Sequence, residues 1–147
     1  VKDYMKKDIE YMLGTEKEKQ YFDLTEEANK FVEKKDYEKA EKTFQKAFAL
    51  SGDGQQLFNR GRALAALKKY EEAIEVLLQS RRISEQEGDV TDGEDMELVR
   101  CYIGLKDKKN AEKYLELARE GADNVADEFI DEYEEELDKL EDMIDEL

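Results

Sequence analysis

Any covalent chemistry in this chain would have to run without histidine, because its 147 residues contain none. The single thiol, Cys101, lies between Val99 and Tyr102 in a stretch patterned as helix. With no imidazole to activate it, it reads as a small buried apolar residue. One cysteine excludes an internal disulfide and suits a reducing compartment. The carboxylates Asp89, Asp92 and Asp95 flank Gly93, but their spacing does not match the helix–loop–helix calcium pattern. Forty acidic residues make paired carboxylates common throughout, so no pair stands out as an acid–base couple. Gly-rich phosphate loops and metal-ligand spacings are absent as well. The expectation is a non-enzyme with no cofactor and no metal.

Non-covalent recognition remains, and charge narrows its partners. The net charge of −16 argues against nucleic acid and anionic membranes. Residues 121–147 carry 13 acids and one Lys, a net of −12, whereas residues 1–120 are nearly balanced at −4. No stretch approaches the ~18 apolar residues of a membrane span. A cytoplasmic location is favoured, although the chain opens at Val1 and a removed leader, tag or upstream domain would leave the compartment open.

The elements that must position any site are helices. Glu, Lys, Ala and Leu dominate, Pro is absent, and strand signals are poor. Three copies of one pattern centre on Ala40, Ala73 and Ala111. Each alanine lies nine residues after Phe31, Leu64 or Tyr102 and seven before Ala47, Ser80 or Ala118. Each copy predicts two helices, with Asp36 and Asp107 placed as N-caps of the second. Small residues at Ala28, Gly61, Ala40, Ala73 and Ala111 would let the two helices approach. Phe31, Phe44, Leu64, Leu77, Tyr102 and Leu115 would fill the space beside them. The interval from Ala40 to Ala73 is 33 residues and from Ala73 to Ala111 is 38, which predicts an extra helical turn through residues 84–87. A hairpin of this kind leaves an apolar face bare until a neighbour stacks on it, so the copies predict a solenoid.

Over about residues 21–121 this pattern resembles the tetratricopeptide repeat family, a helix–turn–helix unit of 34 residues. The second copy carries it through Gly61, Leu64, Tyr70, Ala73, Leu77 and Ser80, and the first through Ala28, Phe31, Tyr37, Ala40, Phe44 and Ala47. The third departs, with Val99 where Gly or Ala is usual and Lys108 in place of Tyr. The resemblance implies an all-α solenoid of about three repeats (21–53, 54–88 and 89–121) between an N-terminal segment (1–20) and an acidic C-terminal helix (122–147). It also implies a concave groove that holds a peptide or helix of a partner protein, as in an adaptor or co-chaperone. Carried over position by position, the groove comprises Phe22, Thr25, Asn29, Val32, Phe58, Asn59, Arg62, Met96, Arg100 and Ile103. Asn29 and Asn59 would orient a ligand backbone, since amides both donate and accept. Arg62 and Arg100 would meet acidic groups. Thr25, Gly93 and Glu97 stand where a full carboxylate clamp would need cations, which disfavours that variant of the site.

The flanks carry their own signals. Met5, Ile9, Met12 and Leu13 form one face of a helix expected to stop at Gly14. Thr15 and Glu18 then form a capping pair for a second helix, which either runs into the first repeat or breaks at Asp23. After Asn124 a helix of about 23 residues is expected, with a seam of Ile130, Tyr133, Leu137, Leu140, Ile144 and Leu147. That seam either shields the last repeat or pairs with a copy of itself or another helix, which would build a homodimer or a self-assembling scaffold. A further alternative is a docking or regulatory fragment of a longer protein.

Overall fold

The computed structural model describes the backbone of residues 2–147 and the side chains of residues 14–147. Its helices are α1 (Lys2–Glu33), α2 (Tyr37–Ser51), α3 (Gly54–Ala66), α4 (Tyr70–Gln86), α5 (Asp92–Gly104), α6 (Lys108–Glu120) and α7 (Ile130–Asp145), with a 3₁₀ turn at Gly121–Asn124. No strand occurs among the described residues. From α1 to α6 each helix packs on its successor, and α7 closes the stack against α6 and α5. The architecture is an all-α solenoid of three helical hairpins with a capping helix.

Local chemistry sets the helix ends. The Asp36 carboxylate accepts the Lys39 N–H at 3.3 Å, and Asp107 accepts that of Asn110 at 3.2 Å. The Asn110 side-chain amide also donates to Asp107 at 2.7 Å, and these bonds hold the Asp107 carboxyl below its ordinary pKa. In α4 the N-cap position belongs to Lys69, which makes no capping bond. Each hairpin turns at a lysine in the left-handed conformation: Lys35 (φ 60), Lys68 (φ 61) and Lys106 (φ 59). The following N–H reaches back five residues, Asp36 to Phe31 at 2.8 Å, Lys69 to Leu64 at 3.0 Å and Asp107 to Tyr102 at 2.9 Å. These bonds satisfy carbonyls that the helix end would leave unpaired.

Within the hairpins the small residues lie where the helices touch. Ala28, Ala40, Ala47, Ala73, Ala111 and Ala118 are fully buried. A Cβ on Gly61 would stand 2.6 Å from the Leu77 side chain, so α3 and α4 approach more closely than any larger residue permits. Leu57, Leu64, Leu77, Leu98, Val99, Cys101 and Leu115 form the main core, and Leu137, Leu140 and Ile144 of α7 belong to the same cluster. In the third hairpin the rings of Tyr102 and Tyr114 stack with centroids 5.6 Å apart.

Helix α4 has 17 residues against 15 in α2 and 13 in α6, as the wider spacing of the alanines requires. Its added turn is used, for the Ser84 hydroxyl donates to Glu94 of α5 at 3.0 Å. Two expectations need correction. Gly14 does not stop a helix: α1 runs unbroken from Lys2 to Glu33, so no new helix begins at Thr15, and of the two options at Asp23 the chain takes the continuous one. A helix-interior glycine costs only ~1 kcal/mol relative to alanine, too little to end a long helix without a competing turn. The Met5, Ile9, Met12 and Leu13 face lies outside the described side chains. Helix α6 ends at Glu120 with Gly121 as its C-cap in the right-handed region (φ −74), and the missing Cβ there makes room for Asp92, whose Cβ would lie 2.9 Å away. Finally, α7 begins at Ile130 and spans 16 residues, because residues 125–129 form the approach that carries the chain back across the last hairpin.

Stability should respond accordingly. Lys69→Asp supplies the cap that α4 lacks and should stabilise the fold by about 1 kcal/mol in urea titrations. Leu140→Ala should cost roughly 2–5 kcal/mol, because α7 is part of the core and not an appendage. The Cys101 thiol is fully buried and pushed up to about 12, first by that burial and then by Glu97. It should react with a disulfide reagent only as fast as the fold opens. Its ionisation also sets a sign: the unfolded thiol loses its proton near 9 and the folded one does not. Stability should therefore fall as pH rises from 9 towards 12, and Cys101→Ala should flatten that slope in urea midpoints.

Candidate functional site

Helices α1, α3, α5 and α7 place three adjoining clefts along one face. The first, about 250 Å³, lies among Asn29, Val32, Tyr37, Phe44, Asn59, Arg62, Ala63 and Ala66. The middle cleft, about 560 Å³, begins at Arg62 and Ala66 and is floored by Ala65, Tyr70, Ile103, Leu140 and Met143. The third, about 450 Å³, begins at the Arg100 and Glu136 side chains that close the middle one, and takes in Met96, Val125, Phe129 and Tyr133. Small side chains at Ala65 and Ala66 leave this face open, and from the second helices of the hairpins only Tyr37 and Phe44 of α2 and Tyr70 of α4 reach the clefts.

Charged pairs cross the groove at both borders. Glu97 on α5 lies 2.5 Å from Arg100 and 3.7 Å from Arg62 of α3. Arg100 reaches on to Glu136 of α7 at 3.0 Å. The Arg62 guanidinium also lies over the Phe58 ring at 5.8 Å. Both arginines thus already face carboxylates of their own chain, and an acidic ligand would have to compete with Glu97 and Glu136. The Asn59 amide accepts from Gln55 at 3.3 Å and donates to Gln56 at 3.5 Å. Asn29 is exposed, and its amide bonds to no other described residue.

Of the residues carried over from the resemblance, Asn29, Val32, Asn59 and Arg62 meet in the first cleft. Ile103 joins Arg62 and Arg100 in the second, and Met96 stands with Arg100 in the third. Three others lie apart. Phe22 is 71% exposed on α1, and the Thr25 hydroxyl donates to the Phe22 carbonyl of its own helix at 2.9 Å. Phe58 opens onto a separate cleft with Val90 and Gly93 at the α4–α5 junction. Sequence reasoning missed Glu136 and Met143, which wall the middle cleft beside the seam residue Leu140. Their spacing of seven residues puts them on one stripe of α7, a signal hidden behind the stronger seam beside it.

The seam itself is largely consumed within the chain. Leu137, Leu140 and Ile144 are buried, and the Tyr133 hydroxyl donates to the Ala118 carbonyl at 2.7 Å. Arg119 of α6 adds bonds to Asp138 at 3.1 Å and Glu141 at 2.8 Å. Ile130 is half-buried and Leu147 is 40% exposed. Of the two roles expected for this seam, shielding the last hairpin is the one its buried residues take within the chain. A tethered face needs no association entropy beyond closing a short loop, which favours this contact.

Other polar clusters are internal ties. Arg81 of α4 donates to the buried Asp95 at 2.7 Å, and Thr91 donates to the same carboxylate at 3.0 Å. Arg60 joins α3 to Glu41 and Gln45 of α2, each at 2.9 Å. Tyr21 donates to Asp53 at 2.6 Å and accepts from Gln56 at 2.8 Å, fastening α1 to the start of α3. None of the described helices is long and apolar enough to cross a membrane.

The tetratricopeptide repeat model matches the chain over residues 31–53, 57–87 and 96–118. Comparison with curated proteins finds no match. These repeats generally mediate protein–protein interaction and are generally not catalytic. The three matched segments fall one on each helical hairpin and together cover half the chain; this protein belongs to the tetratricopeptide repeat family.

Proposed function

We propose that the groove of α1, α3, α5 and α7 holds a peptide or helical segment of a partner protein, as an adaptor or co-chaperone module does. The observation that carries this reading is the continuity of the three clefts, which share Arg62 and Ala66 at one border and Arg100 and Glu136 at the other. A ligand segment could lay apolar side chains into successive clefts, with its backbone bonded at Asn29 and Asn59. Apolar floors with a few placed polar groups are the usual composition of a recognition site. Burial of Leu137, Leu140 and Ile144 within the chain favours the groove over the scaffold alternative.

Two groove variants test this reading after circular dichroism confirms their fold. Ala66→Trp wedges a ring into the border of the first two clefts, and Asn29→Ala/Asn59→Ala removes the backbone-orienting amides. Quantitative pull-downs should show partner capture falling at least tenfold for each, about 1.4 kcal/mol. Equal capture by both variants and the parent chain would place the working surface elsewhere.

A further inference from the structure

The two groove arginines are matched by carboxylates, and the unmatched charge at the α5–α7 end is negative. Asp92 and Glu132 line the third cleft, and neither forms an ion pair with a described residue. The cation there, Arg100, is already engaged by Glu97 and Glu136. Between the acids lies an apolar floor of Met96, Val125, Phe129 and Tyr133, and Phe129 is 55% exposed despite its size. An aromatic ring left open beside unpaired carboxylates suits a ligand that supplies both apolar surface and positive charge.

We propose that this end of the groove binds a Lys- or Arg-bearing segment of another protein, which inserts a large apolar side chain between Met96, Phe129 and Tyr133. The proposal rests on the groove reading above and names the chemistry of its ligand. Basic side chains flanking the anchor would reach Asp92 and Glu132 as new charge-assisted bonds. The net charge of −12 over residues 121–147 would draw such a segment towards this end. The Tyr133 phenol reports the same field: it is pushed up to about 12, first by burial and then by Asp92 and Asp95. An acidic segment would meet Asp92 and Glu132 and would have to displace Glu136 from Arg100. A neutral one would leave both carboxylates unpaired as it covered them.

Because any acidic protein attracts basic peptides, the test separates position from net charge. Phage-displayed random 16-residue peptides are selected on the intact chain, and those recovered are labelled and titrated by fluorescence anisotropy. The expected ligands carry surplus Lys or Arg around an aromatic residue or leucine. Glu132→Lys should weaken them at least tenfold, Glu132→Gln by a smaller factor, and Phe129→Ala about fivefold. Glu116→Lys makes the same charge change on the exposed surface of α6 and should alter binding less than twofold. Equal losses for Glu132→Lys and Glu116→Lys would overturn the proposal, leaving only net-charge attraction. Recovered peptides that are acidic or neutral, and that lose binding with Ala66→Trp, would sink it while the groove reading stands. Peptides indifferent to Ala66→Trp, Glu132→Lys and Phe129→Ala alike would end both.

Discussion

Close approach between the two helices of each hairpin is the constraint on which the rest of this molecule depends. It is purchased with side-chain volume: Gly61 leaves no room for a Cβ beside Leu77, and Ala28, Ala40, Ala73 and Ala111 are sealed from solvent. Larger residues at these points would push the helices apart and open the core that Leu64, Leu77, Leu98 and Leu115 fill. Packing of this density responds to a single methylene, so the small residues set the register for everything stacked on them. Val99 shows that the rule bends once: the third hairpin buries it completely and adds a stacked tyrosine pair beside it.

The turns carry that register from helix to helix. A left-handed lysine costs roughly 1–2 kcal/mol relative to ordinary backbone. Glycine would relieve that strain, but its extra freedom in the unfolded chain returns about 0.4–1 kcal/mol of the gain. The net difference is small, and the backbone bonds from Asp36, Lys69 and Asp107 fasten the same geometry in each hairpin. Polar ties then work between hairpins, where Arg60 meets Glu41 and Arg81 meets Asp95. Such partly buried pairs add orientation more than net stability, since desolvation offsets much of their attraction.

Helix α7 does two jobs with two neighbouring stripes. Leu137, Leu140 and Ile144 cover the open end of the solenoid, as a stacked array requires. Glu136 and Met143 form the end wall of the groove, and Glu136 engages Arg100. Capping and the shape of the groove are therefore coupled: a change that loosens α7 also alters the charge and shape of the cleft beside it. The acidity of residues 121–147 is thereby part of the groove's electrostatics.

The amino-acid order alone determined the hairpins, because their signal is local and repeated. Ala40, Ala73 and Ala111 recur with the same large neighbours, Asp36 and Asp107 mark helix starts, and the 38-residue interval foretells the longer α4. Part of the groove followed from this, since position within a repeat determines which face a residue takes; Asn29, Asn59, Arg62 and Arg100 were legible that way. Tertiary structure decided what depends on competition between distant segments. Gly14 continues α1 because no local alternative outweighs its small penalty, and α7 starts at Ile130 because residues 125–129 must bring it back over the last hairpin. The pairing of Arg100 with Glu136 joins residues 36 positions apart. That Leu137, Leu140 and Ile144 bury against the last hairpin was likewise open, because one apolar stripe serves either partner equally. Periodicity tells which residues share a face; only packing decides what that face meets.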